Sequence, residues 1–329
     1  MTRWRLVALG LVIAAAVLVL AGKEPPFSYG EPEVVGSVPW FDPGTHQGVL
    51  GFVPEVGAGP MGFVPGQQGE IFVADTVRSR VVRFAPEELT EIHTELQGRP
   101  LRPERLAISP AGDLYVVTDD GYVLRYDTSA NLKGSFCLKP DPGNAGAIWA
   151  VQRISFLSDD RIAVADSWLH GEGYFRRVAL YDPSGNLVDV LGGFTMNPQG
   201  EISGLSQDAG PRIVVDLAGA QGHLFVLERG TSGEGYSITS PVGSGWSIDP
   251  GCAEPSLLGI DGRHRLYVAG ATPPGLKVIR YDVSGRVTGE EIVDLPDTPW
   301  HAAVDAKGNL YIAHYGQDAY VIRRYSLGG

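Results

Sequence analysis

Acidic residues and one histidine follow short apolar runs at recurring positions along the chain. The runs "IFVA", "YVVT", "IAVA" and "FVL" each end at a carboxylate, and "YIA" ends at a histidine. Carboxylate and imidazole groups that converge can hold a divalent cation. The structural alternative is that an Asp after such a run accepts backbone N–H groups of the next loop. These residues are Asp75, Asp119, Asp166, Glu228 and His314.

A second polar set stands where the preceding apolar segment of each repeat begins, and it consists of Glu104, Arg153, Arg212 and His301. The arginines can pair with acids and join neighbouring units, which serves register more than stability. His301 and His314 share the last repeat and, with a carboxylate, are the candidates for holding a divalent metal ion. A structural role for each histidine is the alternative.

Aromatic residues gather near two copies of "GEGY", at 171–174 and 233–236. Long loops rich in glycine and aromatic residues are typical of recognition surfaces. Aromatic rings there can stack on sugars or anchor a protein partner. Unordered surface insertions are the alternative. The recognition candidates are Trp168, Tyr174, Tyr236 and Trp246.

All of these residues belong to a repeated pattern. The segments "GEIFVAD", "GDLYVVTD", "DRIAVAD", "GHLFVLE", "HRLYVAG" and "GNLYIAHYG" follow one another at intervals of 43, 48, 62, 42 and 44 residues. Self-similarity at such a period predicts a repeat architecture. β-branched and aromatic residues dominate each run, and turn residues precede it, so each run is predicted to be a strand.

Each repeat contains four predicted strands. One precedes the repeated run across a tight turn such as "SPAGD", and a third, such as "RVVRF" or "YVLRY", follows it. A turn such as "DPSGN" leads into the fourth. The sequence therefore predicts an all-β fold, a six-bladed β-propeller of four-stranded antiparallel blades. Five or seven blades remain open if the irregular stretch 229–252 is misassigned.

The last repeat ends at "RRYSLGG" without a fourth strand. Either "EVVGSV" or "GVLGF", near the N-terminus, can pair with "VIRRY" and close the ring, leaving no long sheet edge exposed. We expect a signal peptide or membrane anchor at 1–22, an extended lead-in at 23–45 and the propeller at 46–329.

Because strand one of a blade begins on the face where strand two ends, both polar sets are predicted on one face near the axis.

The segments "GPMGFVPGQQGEIFVADTVRSRVVRF" and "TPWHAAVDAKGNLYIAHYGQDAYVIRRY" resemble NHL repeats, with a Pro-led strand, a Gly turn, a "YVAD"-like strand and a basic strand. The resemblance covers roughly residues 50–329. It implies the fold and leaves the function open, because such propellers include lyases, lactonases and binding modules.

Two enzyme families with this fold are similar only in part. Gluconolactonase-like propellers imply a metal held by Glu, Asp and Asn-type ligands, whereas the matching positions here carry Glu104, Arg153, Arg212 and His301. Amidating lyases of the NHL class imply several channel histidines with Zn²⁺, and only His301 and His314 match. No cofactor is predicted from this comparison, although a divalent metal stays possible.

The N-terminus combines Arg3 and Arg5 with an unbroken apolar run at 6–21. This pattern predicts export, with cleavage after Ala21 or retention as a single anchor left open. The protein is therefore expected to be periplasmic or extracellular. Contact with a membrane is expected only through this segment, if it is uncleaved.

The net charge of the chain limits the classes of binding partner that are expected. The formal net charge of −12 opposes phosphate backbones, so no nucleic-acid partner is expected. The first functional hypothesis is an extracytoplasmic, non-catalytic propeller that binds a protein partner or a small ligand. The alternatives are a metal-assisted hydrolase or lyase with its site at the central channel, and a periplasmic carbohydrate or peptide binder.

Cys137 and Cys252 are the two cysteines of the chain. An even number in an exported protein suggests a disulfide. Their predicted positions in non-adjacent blades oppose one, because bridged Cα atoms must lie within about 7 Å. The pairing is left open by the sequence.

Overall fold

The computed structural model describes residues 27–40, 50–52, 59–85, 88–138, 148–157, 160–170, 173–197, 199, 201–204, 212–220, 222–230, 235–240, 243–295, 299–316 and 318–328. The predicted leader at 1–22 lies outside the described residues. The part of the chain that is described contains no helix with the length and apolar character needed to span a membrane.

The strands of the first half form an N-terminal segment, two regular blades, a small hairpin between them and an enlarged third blade. They are β1 (Tyr29–Pro39); β2 (Phe63–Pro65), β3 (Ile71–Asp75), β4 (Arg80–Ala85) and β5 (Glu88–His93) in blade 1; β6 (Glu95–Leu96) and β7 (Arg99–Pro100) in the hairpin; β8 (Pro103–Ile108), β9 (Leu114–Thr118), β10 (Tyr122–Tyr126) and β11 (Leu132–Cys137) in blade 2; and β12 (Ile148–Phe156), β13 (Ile162–His170), β14 (Gly173–Tyr181), β15 (Leu187–Met196) and β16 (Ile202–Gly204) in blade 3.

The second half forms blades 4 to 6, and a 3₁₀ turn, Thr76–Arg78, follows β3 in the first half. The remaining strands are β17 (Arg212–Ala220), β18 (His223–Gly230), β19 (Tyr236–Ser240) and β20 (Gly243–Ile248) in blade 4; β21 (Ala253–Ile260), β22 (Leu266–Thr272), β23 (Gly275–Tyr281) and β24 (Val287–Asp294) in blade 5; and β25 (His301–Val304), β26 (Leu310–Tyr315) and β27 (Ala319–Leu327) in blade 6.

The predicted six-bladed propeller is confirmed. Each blade is an antiparallel sheet; the strands of blades 1 to 5 follow one another in sequence, and blade 3 adds β16 as a short fifth strand. The first strands of successive blades contact one another, and β25 contacts β2, so these inner strands form a closed ring. The irregular stretch 229–252 supplies β19 and β20 of blade 4, which keeps the blade count at six.

The N-terminal strand closes the ring, as predicted. Strand β1, which contains "EVVGSV", pairs antiparallel with β27 and becomes the outer strand of blade 6. The indole of Trp40, just after β1, donates a hydrogen bond of 3.0 Å to the carbonyl oxygen of Gly316. Residues 29–39 of the expected lead-in are therefore an integral strand of the propeller.

Apolar side chains fill the spaces between blades. Six clusters of buried residues each join two neighbouring sheets; Tyr115 and Ile154 meet between blades 2 and 3, for example, and Val38 and Val73 share the cluster between blades 6 and 1. Both faces of a blade are thus covered, which explains why the second strands are almost continuously apolar.

The tight turns depend on Asp and Gly. In "DPSGN", Asp182 Oδ1 accepts hydrogen bonds of 2.9 Å from the backbone N–H groups of Ser184 and Asn186. Gly185 has a φ of 86°, a region that favours glycine. This Asx-type turn fixes the register between the third and fourth strands of blade 3.

The cysteine question has a clear structural answer. Cys137 ends β11 of blade 2, Cys252 immediately precedes β21 of blade 5, and both are free thiols. The two blades are not neighbours in the ring, which explains why no bridge forms.

Closure by β1 generates a prediction. Val38 is 1% exposed and Val34 is 55% exposed on the same strand. Val38→Asp buries an unpaired charge between blades 6 and 1, so we expect it to lower the free energy of unfolding by roughly 3 kcal/mol or more. Val34→Asp, the matched control, should change it by less than about 0.5 kcal/mol. Urea denaturation followed by tryptophan fluorescence measures both, and equal effects would contradict closure by β1.

Candidate functional site

Three basic side chains of the inner strands lie close to one another. Arg105 lies on β8, Arg153 on β12 and His301 on β25, so they come from blades 2, 3 and 6. The charges of Arg105 and Arg153 both act on the His301 ring, and Arg153 acts on Arg105. These three side chains therefore lie near one another at the inner strands of the ring, and we call this cluster the channel mouth.

Arg105 joins three blades through backbone carbonyls. Its Nη1 donates to the carbonyl oxygens of Met61 and Glu104, both at 2.9 Å, and its Nε donates to that of Gln152 at 3.0 Å. Met61 precedes β2 of blade 1 and Gln152 belongs to β12 of blade 3. Burial lowers the pKa of the Arg105 guanidinium; Glu104 opposes this, and Arg153 adds to it.

Arg153 likewise links its own blade to other blades of the ring. Its Nε and Nη2 donate to Oδ1 and Oδ2 of Asp216 on β17, each at 3.0 Å, in a bidentate pair. Nη2 also donates to the carbonyl oxygen of Leu257 on β21 of blade 5. Asp216 is 8% exposed and accepts two further backbone N–H bonds, from Leu217 and Leu257.

His301 is neutral at pH 7. Burial lowers its pKa to about 4; contact with the carbonyl oxygen of Pro60 opposes this shift, and the charges of Arg105 and Arg153 add to it. The Nε2 atom lies 3.4 Å from that carbonyl oxygen. The ring therefore connects blade 6 to the start of blade 1 without carrying a charge.

Trp300 is the exposed aromatic residue beside this cluster. It is 47% exposed, and its ring lies 4.5 Å from that of Tyr315 between centroids. It also meets the His301 ring edge-on at 6.0 Å. Tyr315 in turn donates a 2.9 Å hydrogen bond to the carbonyl oxygen of Pro60, which fixes the platform on which Trp300 rests.

Two predicted ligand acids instead form buried ion pairs. Asp75 is cross-strand partner to Arg80, and Asp166 to Arg177, with Nε–carboxylate distances of 3.0 Å in both pairs. Asp75 also accepts the N–H of Gly51, and burial raises its pKa against the opposing effect of Arg80. The structural interpretation of these acids is the one that the geometry supports.

The other predicted carboxylates and Arg212 are dispersed. Asp119 lies one residue beyond β9, and its carboxylate lies 3.7 Å from the guanidinium of the exposed Arg102. Thr118, the last residue of β9, occupies the buried position that Asp75 occupies at the end of β3. Glu228 lines a cavity of about 100 Å³ between blades 3 and 4, with Arg212 at 3.9 Å. Burial raises the pKa of Glu228 and that of half-buried Glu104.

The two candidate metal histidines do not converge. His301 is the cross-strand partner of Ala313, so His314, the next residue, points to the opposite face of the blade 6 sheet. Within the described ranges, no three His, Cys, Asp or Glu side chains are grouped so that they could hold a metal ion. The charges of Arg105 and Arg153 also oppose a cation near His301. This donor set does not fit the metal centres of the gluconolactonase-like and amidating-lyase propellers with which the sequence was compared.

The predicted recognition loops are strands where the structure describes them. Trp168 lies on β13 and Tyr174 on β14, whereas Tyr236 lies on β19 and Trp246 on β20. The centroid of the Trp168 ring lies 4.6 Å from the guanidinium carbon of Arg177. Ring centroids are 5.8 Å apart for Tyr174 and Phe194, and 5.6 Å apart for Trp246 and Phe225. Tyr236 packs against the apolar cluster between blades 4 and 5. These four aromatics serve packing within and between blades.

The candidate residues drawn from the sequence did not include Asp216, Arg105 or Trp300. Asp216 lies in the middle of β17, which continues to Ala220, next to a bulge between Val214 and Asp216, and its carboxylate pairs with Arg153. A charged residue inside an apolar inner strand was the available signal, because such a charge needs a partner.

No protein-family model matches the chain, and no curated protein matches it in sequence. Solved structures do resemble it. The Dos1 propeller has a TM-score of 0.53 at 10% identity and covers 91% of this chain and 95% of its own. A gluconolactonase from Xanthomonas campestris gives 0.52 at 12%, with 93% and 98% covered. The PQQ-bound aldose sugar dehydrogenase from Streptomyces coelicolor gives 0.51 at 14%, with 92% and 99% covered. At these identities the likeness concerns the fold alone.

The Arg153–Asp216 pair generates a stability prediction. Arg153→Ala leaves Asp216 nearly buried without its guanidinium, and since Arg153 is 34% exposed, solvent offsets part of the loss. We expect the free energy of unfolding to fall by about 2 kcal/mol. Arg102→Ala removes an ion pair whose arginine is 56% exposed, and should cost less than about 0.5 kcal/mol. Similar losses in guanidinium chloride denaturation would show that the inner pair does not join the blades.

The lowered pKa of His301 generates a pH prediction. Because the folded state disfavours the protonated ring, stability is complete above the unfolded pKa of 6.5 and falls as pH drops towards about 4. Between pH 7.5 and pH 5, the wild type should lose about 2 kcal/mol more than His301→Gln. Unfolding free energies of both proteins across this range measure the difference. Parallel pH profiles would contradict a buried, neutral His301.

Proposed function

We propose that the protein is an extracytoplasmic, non-catalytic propeller that binds a small ligand or a protein partner at the channel mouth. The observation that carries this proposal is Trp300, which is 47% exposed beside the polar cluster of Arg105, Arg153 and His301. An exposed aromatic platform next to charged donors is the composition that binding sites favour. The extracytoplasmic location is supported by the arginines and the apolar run at 3–21.

A binding role accounts for the polar groups better than a catalytic one does. Asp75 and Asp166 are held in ion pairs within their own blades, so neither carboxylate is available at the channel mouth as an acid or a base. Arg105 and Arg153 hold backbone carbonyls and Asp216 in fixed positions. The alternative of a metal-assisted hydrolase or lyase gains no support from the donors described above.

The choice between a glycan, a peptide and another small ligand is open to a direct test. The purified full chain without its leader is screened on a glycan array and on a peptide array. For each hit we expect Trp300→Ala to weaken binding about tenfold, since stacking on an aromatic ring contributes about 0.5–1.5 kcal/mol and the lost burial of its area adds to this.

Leu132→Ala is the matched control, because Leu132 is 45% exposed on the outer strand β11 and far from the inner ring. It should leave binding unchanged. Hits that survive Trp300→Ala but disappear in Trp168→Ala would place the binding surface on blade 3 and contradict the proposal.

A further inference from the structure

We propose that Arg105 and Arg153 together bind a carboxylate group of the ligand inside the channel mouth. This inference rests on the proposed binding function and adds the chemistry of the ligand. It follows from the N–H groups that the two guanidinium groups leave unused, from the charges around them and from the position of Trp300.

The hydrogen-bond inventory leaves one NH₂ group on each arginine. Arg105 uses Nε and Nη1 for three backbone carbonyls, and Arg153 uses Nε and Nη2 for Asp216 and a backbone carbonyl. Within the part of the chain that the structure describes, Arg105 Nη2 and Arg153 Nη1 donate no hydrogen bond to a protein acceptor. A guanidinium has five N–H donors and no acceptor, so an oxygen ligand is the natural complement of the unused NH₂ groups.

The electrostatic environment also favours an anion between the two arginines. Burial lowers the pKa of Arg105, and the neighbouring positive charge of Arg153 lowers it further, so the two charges repel each other. His301, which faces both, is neutral and contributes no opposing charge at pH 7. An anion placed between the guanidinium groups offsets this repulsion and gains charge-assisted hydrogen bonds.

The acids nearby set the charge of that anion. Asp216 is paired with Arg153, and Glu104, whose pKa is raised by burial, lies next to Arg105. These two carboxylates reduce the net positive charge of the cluster, so a monoanion between the guanidinium groups is favoured over a phosphate dianion, whose second negative charge would be repelled by Asp216 and Glu104. A carboxylate matches the planar geometry of guanidinium N–H groups.

Trp300 suggests what the carboxylate is attached to. Its indole contacts the His301 ring, which is itself coupled to both arginines, and almost half of the residue faces solvent. A carboxylate between the arginines therefore leaves the rest of the ligand beside an aromatic surface. A planar or apolar group next to the carboxylate is the expected structure.

Phenylacetate and phenylacetamide form a matched pair of probes, because they differ in charge and share their size and ring. Isothermal titration calorimetry of the full chain, at an ionic strength held constant with sodium chloride, should show phenylacetate binding at least tenfold more tightly than phenylacetamide. Inorganic phosphate at pH 7.5 should bind at least tenfold more weakly than phenylacetate. Equal binding of the amide, or tighter binding of phosphate, would overturn the assignment.

Two arginine variants test the residues. Arg105→Lys keeps the charge but cannot bind three carbonyls and a carboxylate at once, so it should weaken phenylacetate binding at least tenfold. Arg102→Lys, at an exposed site, should leave it unchanged. Circular dichroism and the melting temperature confirm that each variant is folded, and Arg153→Lys gives a second test if Arg105→Lys unfolds. Unchanged affinity in a folded inner-arginine variant sinks the proposal.

The carboxylate site and the broader binding function can fail separately. If Trp300→Ala weakens binding of the array ligands while the arginine variants leave the affinity for phenylacetate unchanged, the proposed binding function is supported and the carboxylate assignment is wrong. If the arginine variants weaken phenylacetate binding while Trp300→Ala leaves binding of the array ligands unchanged, the carboxylate site is supported and the proposal that those ligands bind at the channel mouth is wrong.

Discussion

Each blade buries both of its faces against neighbouring blades, and the rest of the structure depends on this constraint. The apolar clusters lie between adjacent sheets all the way around the ring. An open end would leave one sheet face in water, at a cost of about 25 cal/mol for each Å² of apolar surface. The chain avoids this by supplying the outer strand of blade 6 from residues 29–39, so its two ends hold the ring closed through backbone hydrogen bonds.

Closure also explains why the centre of the molecule is polar. The inner strands converge at the axis, where backbone carbonyls at strand starts and at bulges need donors that no sheet partner supplies. Arg105 and Arg153 provide those donors and reach from their own blades to others. A planar guanidinium suits this role because it can satisfy several acceptors in fixed directions. Stabilisation of the ring and the proposed recognition of a carboxylate thus use the same two side chains.

Prediction from sequence succeeded where the signal is local and failed where it depends on a distant partner. The second strands, such as Ile71–Asp75 and Leu310–Tyr315, lie where their apolar runs predicted them. The acids that follow these runs were expected near the ligand face, yet Asp75 and Asp166 are buried beside arginines of the third strands. Their cross-strand register decides this, and a one-residue slip sends a side chain to the other face, as His301 and His314 illustrate.

The sequence by itself determined the all-β class, the order of strands and the need for an N-terminal strand to complete the last blade, and it favoured six blades over five or seven. Apolar runs, turn residues and the repeat period predict each of these features, because each signal lies within a short segment of the chain. Only the tertiary structure decided which charged groups meet at the axis. Arg153 and Asp216 are 63 residues apart along the chain, and Arg153 and Leu257 are 104 apart. Contacts at such separations depend on the curvature of the closed ring, which no local pattern encodes.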